Sequence, residues 1–166
     1  MHLASDDMND LRNAIRGSSI QRAYQCLLSY MNDLRRHFKA RYPKYSVSGL
    51  YQGYLDMTYF AVVPPFFNRR GLKIPVVFNY EAFRFEVWLS GRNQQVHRSL
   101  WELFKKSTWP TYRVVAPGTG VDSIVECDLI ETPHFSDLDA LTATIEKKTT
   151  KFIDEMEKYL SRRGSK

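Results

Sequence analysis

Residues Phe83 to Leu89 alternate without a break: Phe83, Phe85, Val87 and Leu89 fall on one side of an extended chain, Arg84, Glu86 and Trp88 on the other. A period of two over seven residues predicts a strand with one face against an apolar layer, since a one-residue slip would expose all four apolar side chains. Lys73 to Asn79 reads as its antiparallel partner, joined through Tyr80-Glu81-Ala82, so the pair predicts a β-hairpin. Pro75 lacks a ladder donor and predicts an edge position or a bulge in the first arm. Tyr51 to Val63, rich in Tyr, Phe and Val and stopped by Pro64-Pro65, predicts one more strand. Tyr112 to Ala116 and Ser123 to Ile130 predict two others across Pro117-Gly118-Thr119-Gly120.

Helices must supply the layer that covers this sheet. Leu11 and Ile15 mark a short amphipathic helix closed by Gly17. From a cap at Ser18 or Ser19, a long helix runs to about Arg41, with Ile20, Ala23, Tyr24, Leu27, Leu28, Met31, Leu34 and Phe38 on one buried face and Cys26 beside them. Arg35, Arg36, Lys39 and Arg41 lie in its last turns, where cations complement the helix dipole. Asn93 caps a helix to about Lys106, and Ser136 with Asp139 opens the last one, to about Leu160. The order predicts an α+β fold over 1–166: helical 7–42, three strands in 51–89, a helix at 93–106, two strands in 112–130 and a helix at 137–160. A mostly antiparallel sheet of about five strands then packs against long N- and C-terminal helices.

Composition narrows the function classes. Hydrophobic residues make up 43% and charged residues 25%, which excludes a disordered or low-complexity chain. The longest run without charged or strongly polar residues, Tyr59 to Phe67, holds two prolines and is far too short to span a bilayer. No export signal is read, and two cysteines without metal-ligand spacing fit a reducing compartment, so a cytoplasmic protein is expected. The net charge of +6 is uneven: residues 121–146 carry −7 with no basic residue, while 18–45 carry +5. A basic surplus can recruit a polyanion, but it also serves solubility, and the acidic segment can neutralise basic neighbours. The 14% aromatic content favours a protein partner or a second copy over nucleic acid.

Strand parity supplies the candidate site. Gln52, Tyr54, Asp56 and Thr58 share one face of the predicted first strand, and Glu126 and Asp128 share one face of the last. If these faces coincide with that of Arg84, Glu86 and Trp88, one side of the sheet gathers a binding surface. Its members are Tyr51, Tyr54, Asp56, Arg84, Glu86 and Trp88, with Arg92 and Asn93 at the following helix start. Clustered carboxylates could instead hold a hard cation for phosphodiester hydrolysis, with Asp56 and Glu86 as the catalytic candidates. An acid-x-Lys on the third strand is missing from that pattern, since the string is Glu86-Val87-Trp88 and Lys73 on the paired strand is the only substitute. His2, His37, His97 and His134 match no zinc spacing, and no phosphate-binding glycine loop or nucleophile elbow occurs, so neither metal nor cofactor is expected.

The strings YQGYLDMTYF (Tyr51 to Phe60) and FRFEVWLSGRN (Phe83 to Asn93) carry a resemblance. With SIQRAYQCLLSYMNDLRRHF upstream and Trp101-Glu102-Leu103-Phe104 downstream, the chain resembles an uncharacterised family of small bacterial proteins, a domain of unknown function, over about residues 9 to 161. The resemblance implies a bacterial, cytosolic, single-domain protein and brings no activity, cofactor or catalytic residue. More remotely, the hairpin, helix, Trp109 and following strand pair are similar in architecture to domains found beside restriction-type nucleases. The expectation is a non-enzymatic binding module for a protein, a second copy or a nucleic acid; the alternative is a metal-dependent phosphodiester hydrolase.

Overall fold

The computed structural model describes residues 4–163, so His2 and the outermost ends of the 1–166 span lie outside the described residues. Helices α1 (Ser5–Ile15) and α2 (Ile20–Arg41) lead into β1 (Ser46–Val47), β2 (Tyr51–Gln52) and β3 (Met57–Val63). A single helical turn, α3 (Pro65–Asn68), precedes β4 (Leu72–Asn79), β5 (Arg84–Gly91) and α4 (Gln94–Phe104). The chain ends with β6 (Arg113–Val114), β7 (Val125–Ile130) and α5 (Leu138–Arg163). The fold is α+β. Its antiparallel sheet has seven strands rather than about five, in the order β1-β3-β4-β5-β7-β6, with β2 also on β3.

One extra strand is β1, which pairs with the end of β3 upstream of the expected region, and the other arises because the segment from Tyr51 turns back on itself. Gly53 donates its N–H to the Met57 carbonyl at 2.9 Å and closes a hairpin between β2 and β3. A Cβ at Gly53 would lie 2.0 Å from Asp56 Oδ1 and 2.8 Å from the Met57 carbonyl oxygen, so only glycine fits the reversal. The predicted shared face of Tyr54, Asp56 and Thr58 does not form: Tyr54 and Asp56 lie in the turn, and Thr58 is buried opposite Phe78. Pro75 also departs from expectation. It sits in a central strand, paired with Ala61, and the pairing with β5 lapses there but keeps its register from Lys73↔Ser90 to Val76↔Val87.

One side of the sheet carries Phe60, Val76, Phe78, Phe85, Val87 and Leu129, all fully buried with Met31, Leu34 and Phe38 of α2 and Phe152, Ile153 and Met156 of α5. Phe38 meets Phe60 at 5.8 Å between ring centroids. The two long helices are also tied directly, since Glu146 of α5 accepts hydrogen bonds from Tyr42 Oη at 2.6 Å and engages His37 Nε2 at 2.7 Å, with Arg41 at 3.5 Å. The basic end of α2 is thus partly neutralised inside the fold. Among the described residues, no helix is long and apolar enough to cross a membrane.

Helix starts agree with the sequence in two cases and shift in one. Asn93 caps α4, its Oδ1 accepting from Val96 N at 3.0 Å. At α5 the capping side chain is Asp137, bonded to Ala140 N at 2.9 Å, instead of Ser136. At α2, of the two serines expected, Ser18 supplies the oxygen that accepts from Ile20 N at 3.3 Å. Cys26, expected inside, is exposed, because α2 carries its buried face only from Tyr30 onward. Where β5 hands over to α4, a Cβ on Gly91 would lie 2.7 Å from His97 N and 3.0 Å from its Cα. The obstacle is backbone, so Gly91→Ala should push α4 off the sheet and cost about 1–3 kcal/mol in urea unfolding; an unchanged midpoint would refute the close approach.

Candidate functional site

Two arrangements compete. The first is a charged ladder on the side of the sheet away from α2 and α5. Glu86 is only 1% exposed, and its carboxylate is filled: Oε1 accepts from Arg84 Nε at 2.7 Å and Asn79 Nδ2 at 3.3 Å, Oε2 from Trp88 Nε1 at 2.8 Å. Arg84 reaches on to Asp128 at 3.2 Å, and Arg113 from β6 grips both oxygens of Asp128 at 2.8 and 2.9 Å. Arg113 also meets Glu126 at 3.1 Å, whose other oxygen accepts from Ser123 Oγ at 2.5 Å. The hydrogen bonds from Arg113 hold the Asp128 carboxyl below its ordinary range against a burial cost, helped by the charges of Arg113 and Arg84. Every charged group of this ladder already has its opposite.

The second is an apolar groove of about 510 Å³ at one end of the molecule. One wall is the first half of α2, with Ile20, Tyr24, Leu27 and Tyr30; the other comes from two hairpin turns and the segment entering α5. The turns sit side by side, because Tyr80 N donates to the Asp56 carbonyl at 3.0 Å. Each sends one large apolar side chain to the groove from a left-handed backbone: Leu55 at φ 64° and Phe83 at φ 51°. These are the two non-glycine residues at positive φ among the described residues, and such a conformation costs a bulky residue on the order of 1–3 kcal/mol. Phe135 and Leu138 complete the wall and, like Ile20, Leu55 and Phe83, are substantially exposed. The groove offers almost no polar contact: Tyr30 Oη is engaged with Thr142 Oγ1 at 3.1 Å and Tyr80 Oη with Thr58 Oγ1 at 2.9 Å. Burial pushes both phenols above their usual pKa, so they stay neutral.

A family model described as a domain of unknown function, DUF7000, matches residues 4–160. The chain belongs to this family. The matched span takes in both the ladder and the groove. No curated protein and no solved structure matches the chain.

Within this DUF7000 chain the sequence candidates separate. Arg84, Glu86 and Trp88 do share a face with Glu126 and Asp128, and the register aligns Tyr59, Val77, Glu86 and Asp128 in one row. Asp56 does not join them. It lies three residues before Tyr59 and two strands from β5, which places its Cα on the order of 14 Å from that of Glu86. Its Oδ1 instead accepts from Met57 N at 2.8 Å. Lys73 does not stand in for a catalytic lysine, since its Nζ lies over the Tyr59 ring at 5.7 Å. Trp88 is buried, Tyr51 packs against Tyr59 with tilted rings 4.9 Å apart between centroids, and Tyr54 is 98% exposed at the turn tip. Arg92 is occupied with Asn68, at 3.1 Å to its Oδ1, and Asn93 with its capping bond. Ile20, Tyr24, Leu27 and Phe83, expected on buried faces, line this open groove instead; the overlooked signal was the turn strings GYLD and EAFR, which put Leu and Phe where a left-handed turn usually takes Gly, Asn or Asp.

Because Asp128 is depressed in the folded state, its contribution is complete above the ordinary carboxyl value of 3.8 and fades as pH falls through the lowered folded value. Asp128→Asn should therefore destabilise the protein at neutral pH by about 1–3 kcal/mol, with the gap to the parent closing below about pH 4. A gap that stays constant as pH falls through the acid range would deny the ladder its electrostatic role.

Proposed function

We propose that the chain is a non-enzymatic binding module whose contact site is the apolar groove, taking an apolar helical segment of a protein partner. The observation that carries the reading is the pair of exposed, left-handed side chains, Leu55 and Phe83, in one groove. Glycine would hold either turn at lower cost; Phe83 meets the core ring of Phe78 at 5.2 Å, yet both Leu55 and Phe83 stay more than half exposed, so packing in the fold offsets only part of the strain. A groove walled by a helix and lined by aromatic and aliphatic side chains suits the apolar stripe of an amphipathic helix, which needs pockets and few hydrogen bonds. The volume is also of the order that ligand sites use.

The ladder is the weaker candidate for a binding face. Its carboxylates and guanidiniums satisfy one another, so a partner would have to displace a buried hydrogen bond for each one gained. Hydrolysis of phosphodiesters has less support still, since Asp56 and Glu86 stand apart and Glu86 is saturated by Arg84, Asn79 and Trp88. A nucleic-acid partner would use the basic end of α2, where Arg36 already pairs with Asp33 and Arg41 with Glu146.

Cys26 lines the groove and is exposed, whereas burial, with Asp128 adding, pushes the Cys127 thiol up to about 11. In the folded protein one thiol, that of Cys26, should react promptly with an aromatic disulfide reagent, and Cys127 only on unfolding. Dilute protein should bind the apolar dye anilinonaphthalene sulfonate, and both modification of Cys26 and Leu55→Gly should abolish that binding. Leu55→Gly should leave the melting temperature unchanged or raised, because it relieves the left-handed turn. Dye binding indifferent to both changes would remove the groove as the site.

A further inference from the structure

The exposed large apolar side chains are not scattered. Among the described residues they are Ile20, Leu55, Phe83, Phe135 and Leu138 in the groove, Tyr51 and Tyr54 on the β2–β3 hairpin beside it, and Met8 and Leu11 on α1. Helix α1 has 11 residues, none of them buried, and its apolar positions Met8, Leu11 and Ile15 form one stripe. A helix of that length is marginal on its own, and its stability has to come from packing that stripe against something. The chain thus holds an unpartnered amphipathic helix and an unfilled groove of matching character. Their dimensions agree as well. Eleven helical residues span about 16 Å, and the groove wall along α2 from Ile20 to Tyr30 spans about 15 Å.

The helix does not lie in its own groove, and the corner between α1 and α2 is fixed. Arg16 N bonds to the Arg12 carbonyl at 2.9 Å, Ser18 bonds to the Ile15 carbonyl through both its N–H at 3.2 Å and its Oγ at 3.0 Å, and Gly17 takes the left-handed conformation the corner needs. Charge at the groove is mixed: the first turn of α2 carries Arg22 opposite the acidic start of α1, while Asp56 and Asp137 adjoin Leu55 and Leu138 on the other wall, so the match rests on the apolar stripe and its length. We infer that the groove takes helix α1 of a second copy of this chain, and the reverse, so that two chains join in a reciprocal two-fold dimer. This rests on the groove being a contact site and names its occupant. The symmetry doubles the contact: one short helix in one groove is a small interface, and the two-fold makes two of them.

The test uses the full chain and three samples, Leu11→Asp on the helix, Leu138→Asp at the groove, and the two variants mixed. Both positions are about half exposed and Leu138 opens α5, where an acid is favourable, so both variants should keep the parent circular dichroism and melting temperature. Light scattering during size exclusion should show the parent as a dimer, with bound dye expelled as protein concentration rises. Each variant alone should weaken self-association roughly tenfold or more. Their mixture should recover part of it, because one intact helix then meets one intact groove. A monomeric parent at every concentration overturns the inference; if its dye binding is still lost in Leu55→Gly, the groove stands and only its occupant is wrong. A dimer untouched by both substitutions, or a mixture no stronger than its parts, places the interface elsewhere and equally overturns it.

Discussion

Strand β5 is buried on both faces, and one of those faces is charged. Much of the remaining architecture follows from that constraint. An ionised carboxylate in the interior survives only if its oxygens are filled, and Glu86 draws its donors from Asn79 on β4 and from Arg84 and Trp88 on its own strand. Arg84 then needs a second carboxylate, which Asp128 of β7 supplies, and Asp128 is in turn gripped by Arg113 from β6. The chain of partners leads outward from the centre of the sheet to its edge. It explains why a strand as short as Arg113–Val114 is held in place at all.

The opposite face has a simpler requirement. Phenylalanines at 60, 78 and 85 form an apolar layer that must be covered, and α2 and α5 cover it with their own aromatic and aliphatic stripes. Helix α2 does this only over its second half. Its first half continues past the edge of the core, so Ile20, Cys26 and the open sides of Tyr24 and Leu27 are left to wall the groove. The groove is the consequence of a helix longer than the sheet it packs on.

The parity of β5 was legible because period two leaves a strand one buried side, and it correctly grouped Arg84, Glu86 and Trp88 with Glu126 and Asp128. The same logic failed for Asp56, since a reversal at Gly53 ends the alternation and nothing in the Tyr, Phe and Val content marks where a strand becomes a hairpin. Pro75 misled in the other direction: its neighbours carry the register, so a central strand tolerates it. Cys26 has the spacing of a buried position, yet burial depends on how far the helix overhangs the sheet, which is set by tertiary packing. The groove was illegible for a stronger reason. Its walls come from α2, two turns and the entry to α5, and no local pattern brings together Ile20, Leu55, Phe83 and Leu138.

The ladder and the groove differ in what they leave exposed. In the ladder the charged groups are spent on one another. In the groove the polar atoms of Tyr30 and Tyr80 are turned to threonines, and the surface offered is almost wholly apolar. Catalysis draws on unsatisfied polar groups aimed at a reacting atom, whereas association draws on apolar area that water leaves. Where this chain accepts backbone strain, at Leu55 and Phe83, it holds up apolar area and no reactive group. Strain retained at that place supports the proposed contact surface.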